Sequence, residues 1–307
     1  NDSVEEIVVQ SQEGVIYILN GEDKTIEWQS SSLGSFRHSG FEIADADNDG
    51  IPNLLVTDYS NNNGIYFYVY QFNGINYTLK ATVGRSGEGH VHSIAVGDVD
   101  YDETPEILIN DYEASKIYVY SWNGTAYALE TSFWAAESVV IMEIGDCDND
   151  GFLEIVAGDW SESGRIFIYE WNGTGYENVY ISTDLDKYIT GFLIADADLD
   201  GQNELIVGSY NYLIIFKFFA GTYYEKWRSS DIGDHISPAD IADWDKDGTP
   251  EIAIGSATYG RLYVYQYTEE GYALEWSSTY SSDRLAPKFS DIDNDGVLTY
   301  HDSLGLD

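Results

Sequence analysis

Aspartate-rich loops recur six times along this chain, about every 50 residues. Each has aspartate at positions 1, 3 and 5, and glycine at position 6 in every copy except the second, which has Glu103. Alternate side chains of a tightly curled loop point inward, so three carboxylates can surround one cation, and glycine permits the positive φ that brings the next carbonyl onto it. An oxygen-only, largely anionic ligand set favours Ca²⁺. Mg²⁺ prefers a smaller octahedron, and Zn²⁺ prefers His or Cys.

The predicted metal ligands share one arrangement. They are the side chains at positions 1, 3 and 5, the backbone carbonyl at position 7 and the side chain at position 9, except that the last copy uses position 12. About five or six Ca²⁺ ions are expected. Whether the second and last copies bind metal is left open, because Glu103 replaces glycine in the second and Thr299 replaces the acid at position 9 in the last. The ligands are Asp45, Asp47, Asp49, Ile51 and Asn53; Asp98, Asp100, Asp102, Thr104 and Glu106; Asp146, Asp148, Asp150, Phe152 and Glu154; Asp196, Asp198, Asp200, Gln202 and Glu204; Asp243, Asp245, Asp247, Thr249 and Glu251; and Asp291, Asp293, Asp295, Val297 and Asp302.

Each repeat reads as four short strands. One apolar stretch enters the loop, a second leaves it, a third alternates aromatic and β-branched residues, as in RIFIYEW, and a fourth is more polar. Asn-Gly pairs at Asn73, Asn123 and Asn172 mark tight turns between the third and fourth strands. A period of this length without helical periodicity is typical of propeller blades. The sequence therefore predicts an all-β, six-bladed β-propeller of four-stranded antiparallel blades, as a single domain over residues 1–307.

The two ends of the chain together supply one blade. The N-terminus contributes three strands and the C-terminus one, so the strand around Lys288–Ser290 is expected to pair with that around Glu6–Val9 and close the ring. A small residue precedes the first aspartate of every loop, as at Gly97 and Gly145, which would let the innermost strands crowd around the axis. The expected blades span about 1–36 plus 285–296, 37–89, 90–137, 138–187, 188–234 and 235–284.

The repeated GDxDNDGxxEIVVG-type pattern resembles the FG-GAP/VCBS repeats of integrin α-chain propellers and their microbial extracellular relatives. The match runs from Glu5 to about Gly296. The resemblance implies a calcium-stapled β-propeller used mostly for adhesion or ligand recognition. Integrin propellers have seven blades, whereas this sequence predicts six, and the FG and GAP portions are degenerate here. Only the metal positions are therefore carried over, and no integrin-like ligand is.

Composition limits the partners. The formal net charge is −40, from 54 acidic and 14 basic residues, which excludes nucleic acid because phosphate binding needs a basic face. Cys147 is alone, so no disulfide framework is expected, and it is interpreted as a small buried residue. The sequence shows no membrane span or signal peptide. It begins within a loop motif, so any such segment is expected outside this chain.

The loops would fill where calcium is plentiful, which predicts a secreted or cell-surface protein. Asn-x-Ser/Thr sequons agree with that location, although Asn-Gly-Thr is also a good hairpin turn, so their use is left open. The sequons start at Asn1, Asn76, Asn123 and Asn172, and the last three are the predicted glycosylation sites.

A ligand-binding surface is predicted on the face opposite the calcium loops. The connections between a fourth strand and the next first strand hold four of the five histidines and several of the few cationic residues. These residues could attract a protein or glycan ligand, with a uronate or a carboxylate side chain as the anionic option. The opposing interpretation is that these loops are simply exposed and polar. The predicted residues are Arg37, His38, His90, His92, Lys187, Tyr188, His235 and Arg284.

Two classes of function compete. The first is a non-enzymatic adhesion, ligand-recognition or surface-scaffold module, which the repeats alone would explain. The second is an extracellular carbohydrate-active enzyme resembling polysaccharide lyases, in which His92 or His235 would be the base and Arg37 or Arg284 the cation. The first is favoured, because no catalytic carboxylate pair, phosphate loop or nucleophile motif stands apart from the metal ligands. No catalytic residue is assigned.

Overall fold

The computed structural model describes residues 6–11, 14–20, 23–33, 40–57, 65–84, 90–136, 138–233, 235–256, 260–279, 288–290 and 299–301. Strands and connections make up all of the described residues, which contain no helix. Within each sheet, every strand pairs antiparallel with the strands that are adjacent to it in sequence. Alternating apolar and aromatic residues with tight turns explain this, because each strand finds its partner across a short connection.

Five sheets have four strands each. Blade 2 contains β4 (Phe41–Ala44), β5 (Asn53–Thr57), β6 (Ile65–Phe72) and β7 (Tyr77–Gly84). Blade 3 contains β8 (Ile94–Gly97), β9 (Glu106–Asp111), β10 (Lys116–Trp122) and β11 (Tyr127–Trp134). Blade 4 contains β12 (Val139–Gly145), β13 (Glu154–Asp159), β14 (Ile166–Trp171) and β15 (Tyr176–Ile181). Blade 5 contains β16 (Ile189–Ala195), β17 (Glu204–Ser209), β18 (Tyr212–Phe219) and β19 (Thr222–Arg228). Blade 6 contains β20 (Ile236–Ala242), β21 (Glu251–Ser256), β22 (Leu262–Thr268) and β23 (Gly271–Ser277).

The N-terminal strands form the remaining blade. Blade 1 contains β1 (Glu6–Gln10), β2 (Ile16–Asn20) and β3 (Ile26–Gln29). The first strands of successive blades lie side by side around the axis, and β24 (Lys288–Ser290) lies beside β20 in the same way. The C-terminal strand thus follows the five first strands in the inner ring. The predicted six-bladed β-propeller is confirmed.

The partner of the C-terminal strand differs from the predicted one. Lys288–Ser290 pairs with β25 (Thr299–His301) in a two-stranded sheet, whereas the described sheet of β1 contains only β1, β2 and β3. The residues after Gly296 were not expected to form a strand. A hairpin partner close in sequence closes a short loop at a smaller entropic cost than a partner from the other end of the chain.

Innermost strands crowd as predicted. A β-carbon placed on Gly145 would lie 2.9 Å from Cδ1 of Ile194 in the next blade, and one on Gly97 would lie 3.2 Å from Cγ2 of Ile144. Both distances are tighter than ordinary van der Waals contact, so a small residue before the first aspartate lets neighbouring blades approach.

Apolar cores fill the spaces between adjacent blades. One cluster joins Val156 and Ile168 of blade 4 to Val207 and Ile214 of blade 5. Cys147 belongs to the same cluster, with 1% of its surface exposed, so its interpretation as a small buried residue is confirmed. Because each core is shared, each blade supports the loops of its neighbours.

Candidate metal centres

In the five described aspartate-rich loops, position 1 directly follows the first strand of the blade and position 9 begins the second strand, so the sheet fixes their geometry. Each loop is named here by its first aspartate. In five loops the carboxylate oxygens lie within 4.8 Å of one another. The sixth, with Asp291, Asp293, Asp295, Val297 and Asp302, lies outside the described residues. The clustered groups are Asp45, Asp47 and Asp49; Asp98, Asp100 and Glu106; Asp146, Asp148, Asp150 and Glu154; Asp196, Asp198 and Glu204; and Asp243, Asp245 and Glu251.

The loop turn depends on position 6. In the Asp146 loop, the amide of Gly151 donates to Oδ2 of Asp146 at 3.1 Å, and Gly151 has a φ of 92°. Glu103 keeps the same turn in the Asp98 loop, with a φ of 73°. A residue with a β-carbon has a steric cost in this conformation, so the turn at Glu103 is strained.

In the Asp98 and Asp146 loops, position 9 supplies one oxygen that has no hydrogen-bond partner in the protein. Oε2 of Glu154 accepts a hydrogen bond from the amide of Cys147 at 2.8 Å, and Oε2 of Glu106 accepts one from Val99 at 2.9 Å. Oε1 of Glu154 and Oε1 of Glu106 are buried and have no hydrogen-bond partner. Buried charged oxygens of this kind need a cation, so these residues fit Ca²⁺.

Electrostatics support the same assignment. Burial raises the pKa of Glu106 and of Glu154 to about 8, and the pKa of Glu251 to about 7. Burial, followed by the charges of neighbouring aspartates, also raises the pKa of Asp100 and Asp148. Without a cation the Asp98 and Asp146 loops thus resist ionisation, because their carboxylates are desolvated and repel one another.

Acidic side chains outside the motif lie near three of the loops and increase their negative charge. These side chains were not among the predicted ligands. Glu130 lies near enough to Asp100 and Glu106 to raise the pKa of both carboxyl groups. Glu275 acts on Glu251 in the same way. Glu170 lines a cleft of about 160 Å³ together with Asp150 and Glu154 of the Asp146 loop. Aligning the third and fourth strands of the repeats is the signal that could have found these residues.

Lysine reaches the carboxylates of the other two loops. In the Asp196 loop, Nζ of Lys217 lies 2.9 Å and Nζ of Lys226 lies 3.2 Å from Oε1 of Glu204. In the Asp45 loop, Nζ of Lys80 pairs with Asp47 and lies 3.5 Å from Oδ2 of Asp49. The acid at position 9 of that loop is replaced by Asn53, whose Nδ2 is buried without a hydrogen-bond partner. These two loops therefore fit a divalent cation less well.

Hydrogen bonds join some neighbouring loops. Asn48 of the Asp45 loop donates to the carbonyl oxygen of Glu103 at 2.9 Å. Nδ2 of Asn149 donates to the carbonyl oxygen of Asn203 at 3.2 Å, while its Oδ1 accepts from the amide of Asn203 at 2.6 Å. The position 4 residue makes the link in both cases, so it ties the Asp45 loop to the Asp98 loop and the Asp146 loop to the Asp196 loop.

The family comparison agrees with the loop geometry, since an FG-GAP-like repeat model matches residues 45–109 and 146–207. Over these residues the chain is similar to FG-GAP-like repeats. The predicted resemblance to FG-GAP/VCBS propellers is thereby confirmed. No curated protein sequence matches the chain.

Solved structures with a similar fold have low sequence identity to this propeller. The crystal structure of the mitotic checkpoint complex contains a chain with a TM-score of 0.63 and 12% identity, covering 99% of this chain and 88% of the other. A protein from Lactobacillus plantarum has a TM-score of 0.62 and 15% identity, covering 90% and 82%. Sqt1 from Saccharomyces cerevisiae has a TM-score of 0.56 and 15% identity, covering 79% and 65%. At these identities the likeness concerns the fold alone.

On the face opposite the metal loops, the propeller brings together some of the predicted ligand residues. Lys187 and Tyr188 precede β16, His235 precedes β20, and all three lie near Tyr210 in the β17–β18 connection. His90 instead pairs with Glu113, and His92 lies against Tyr112 with ring centroids 5.5 Å apart. Arg37, His38 and Arg284 lie outside the described residues.

Four rings form what we call the aromatic row, comprising Trp160, Tyr188, Tyr210 and His235. Trp160 and Tyr188 are stacked, with centroids 4.7 Å apart and planes 15° apart. Tyr188 and Tyr210 lie 5.8 Å apart, and Tyr210 and His235 lie 3.9 Å apart. Lys187 Nζ sits 4.7 Å from the Tyr210 ring centroid. The sequence analysis missed Trp160 and Tyr210, which come from connections between second and third strands.

The backbone holds this row in place. The amide of Tyr210 donates to the carbonyl oxygen of Tyr188 at 3.1 Å, and the amide of Ile236 donates to the carbonyl oxygen of Tyr210 at 2.9 Å. Tyr210 has a φ of 48°, a left-handed conformation that non-glycine residues rarely adopt. The buried hydroxyl of Ser209 donates to the carbonyl oxygen of Lys187 at 2.9 Å. The rings are thus preorganised across blades 4, 5 and 6.

Two sequons have a structural use. Oδ1 of Asn123 accepts hydrogen bonds from the amide of Thr125 at 3.1 Å and from its hydroxyl at 2.9 Å. Asn172 and Thr174 repeat the same geometry. The tight turn therefore explains both Asn-Gly-Thr triplets, and their glycosylation stays a prediction.

Among the described residues there is no helix with the length and apolar character needed to cross a membrane.

Proposed function

We propose that this chain is an extracellular, calcium-stabilised recognition module that binds an acidic glycan at the aromatic row. An FG-GAP-like propeller is a ligand-binding or scaffold module at the level of its fold. The observation that carries the proposal is the row of four rings with Lys187 placed over Tyr210. Preorganised rings give a flat apolar surface at little entropic cost, and sugar rings present matching apolar faces.

Charge supports an acidic ligand. In a chain with a net charge of −40, a cation at a binding surface is scarce and selects for the opposite sign. Lys187 would pair with a uronate carboxylate, while Trp160, 42% exposed, and Tyr210 would stack on sugar rings. Salt is then expected to weaken binding, because it screens an exposed ion pair.

An extracellular location is proposed from the metal loops. Calcium sites of extracellular modules are typically filled at about 10⁻⁴–10⁻³ M, concentrations that the cytosol does not reach. Glycosylation at Asn76, Asn123 or Asn172 would accompany that location. Mass spectrometry of the protein from its native source would detect it, and unmodified peptides at all three asparagines would remove this part of the proposal.

A glycan array with the calcium-loaded protein tests the recognition surface. We expect binding to acidic glycans, with Trp160→Ala and Tyr210→Ala each weakening it about two- to tenfold, since losing one aromatic contact costs about 0.5–1.5 kcal/mol. Phe219→Ala is the matched control, because Phe219 is an exposed aromatic, 71% accessible, at the opposite end of its blade. Equal binding by all four proteins would exclude the aromatic row. Binding to acidic peptides alone would point to a protein ligand.

A lyase remains the second candidate, favoured by the proximity of Lys187, Tyr210 and His235. In such a reaction a base removes the proton beside the uronate carboxylate, the carbon–oxygen bond to the next sugar breaks, and an unsaturated uronate forms. Incubation with acidic glycans and measurement of ultraviolet absorbance would detect that product. Product formed by the wild type and lost in His235→Ala would favour the enzyme, whereas intact glycan that still binds would favour recognition.

A further inference from the structure

We propose that Lys217 and Lys226 take the place of the divalent cation in the Asp196 loop, so that blade 5 closes its loop without calcium. Both ammonium groups contact Oε1 of Glu204, at 2.9 Å and 3.2 Å. Lys217 also pairs with Asp200, and Lys226 also pairs with Asp198. Two cations thus lie among the carboxylates of a single loop.

The contacted oxygen is the one that a metal would use. Oε2 of Glu204 accepts a hydrogen bond from the amide of Ala197 at 3.0 Å, as position 9 does in the neighbouring loops. Its Oε1 therefore corresponds to the Oε1 atoms of Glu106 and Glu154, which are buried without a hydrogen-bond partner. In blade 5 this atom is saturated by two lysines instead.

Strand register shows that the lysines occupy equivalent positions in the repeats. Lys217 follows Phe216, which pairs with Leu205, just as Gln266 follows Tyr265, which pairs with Ile252. Lys226 is the extra residue of a bulge in the fourth strand, between Glu225 and Trp227. From blade 2 to blade 6 the two positions hold Gln71 and Lys80, Ser121 and Glu130, Glu170 and Val179, Lys217 and Lys226, and Gln266 and Glu275.

Among these five blades, only blade 5 has lysine at both positions. Blades 3, 4 and 6 each have a glutamate at one of them, which increases the negative charge at the loop. Blade 2 has one lysine, and its Asn53 replaces the acid at position 9. The charge around the loops therefore ranges from strongly acidic, where a glutamate is added, to neutralised, where lysine is added. Lysine lies at the loop where the protein itself supplies the positive charge.

Displacement of these lysines would be costly. Lys217 is buried, with 8% of its surface exposed, and Lys226 Nζ lies 5.5 Å from the ring centroid of Tyr267 in blade 6. An entering Ca²⁺ would have to move both ammonium groups away or share the same oxygens with them against like-charge repulsion. The aromatic contact also ties the lysine to the adjacent blade.

The test counts calcium ions per chain by metal analysis after equilibrium dialysis against millimolar CaCl₂. The double variant Lys217→Gln/Lys226→Glu gives blade 5 the residue pair of blade 6. We expect it to bind one more ion per chain than the wild type, and Asp198→Asn in that background to remove the added ion. In the wild type, Asp198→Asn should leave the count unchanged. Circular dichroism checks that each variant is folded.

Two results would overturn the proposal: a loss of one ion on Asp198→Asn in the wild type, or no gain in the double variant. If the double variant does not fold, anomalous diffraction from wild-type crystals grown in calcium decides. A calcium peak between Asp198 and Glu204 contradicts the proposal, and lysine Nζ density at that place supports it. These readouts count ions and do not depend on any ligand of the aromatic row.

Discussion

The hydroxyl of Tyr101 binds both backbone groups of Leu153. It donates to the carbonyl oxygen at 3.0 Å and accepts a hydrogen bond from the amide of the same residue. Tyr101 stands at position 4 of the Asp98 loop, and Leu153 at position 8 of the Asp146 loop. The ring of Tyr101 also packs against Phe152, with centroids 4.6 Å apart. One side chain therefore joins two loops that both fit calcium.

Tyr101→Phe is expected to lower the free energy of unfolding by about 1–2 kcal/mol, because it leaves an amide and a carbonyl of the next loop without their partner. Calcium titration followed by calorimetry should also show weaker binding at the Asp146 loop. Tyr224→Phe is the control, since Tyr224 is an exposed tyrosine on β19. Equal stability of both variants would show that the loops are independent.

Calcium is expected to raise the melting temperature. Each tenfold increase in free calcium above the dissociation constant should add about 1.4 kcal/mol per site, because the ion binds only the folded loop. Glu154→Gln should reduce this gain, since it neutralises the buried position 9 carboxylate of the Asp146 loop. Scanning calorimetry with calcium, magnesium or excess chelator measures the effect. A melting temperature that does not change with calcium would mean that the loops are ordinary turns.

The calcium-free protein is expected to lose stability as pH rises. In the folded state Glu106 and Glu154 keep their protons up to a pKa of about 8, whereas the ordinary value is 4.5. The unfolded chain therefore binds fewer protons between these values, and the free energy of unfolding falls as pH rises from about 4.5 to about 8. Saturating calcium should flatten this trend, because it binds the deprotonated carboxylates and so removes the difference in bound protons between the folded and unfolded states.

Melting temperatures at pH 5 and pH 8, with chelator and with calcium, measure both trends. A Glu106→Gln/Glu154→Gln variant is the control, and its calcium-free stability should change less over this range. A wild type that becomes more stable towards pH 8 in chelator would contradict the assignment of raised pKa values to these carboxyl groups.

Gly145→Ala is expected to destabilise the propeller by about 1–3 kcal/mol, as overpacking of a filled core does. The added methyl group would meet Cδ1 of Ile194 in blade 5 at 2.9 Å. Gly175→Ala is the control, because a β-carbon there has nothing within 4 Å. Chemical denaturation of the two variants gives the comparison, and similar midpoints would show that the inner strands can separate without cost.

The sequence by itself determined the fold and the loop conformation, because both depend on local patterns. Four strands per repeat define a blade, and the number of repeats sets the number of blades. Aspartates at alternate positions with a positive-φ residue at position 6 define the loop, and that conformation holds even at Glu103. The tight approach at Gly145 was likewise foreseen, since the innermost strands of any propeller converge on its axis.

Only the tertiary structure decided which groups share these sites. Lys226 reaches Asp198 because a bulge turns its side chain towards a loop 28 residues earlier in the chain. The aromatic row takes one ring from each of four connections, which become neighbours when blades 4, 5 and 6 pack together. The pairing of Lys288–Ser290 with Thr299–His301 was also decided there. A single sequence shows the repeat of each blade, but contacts between strands and blades depend on register and packing, which the repeat does not specify.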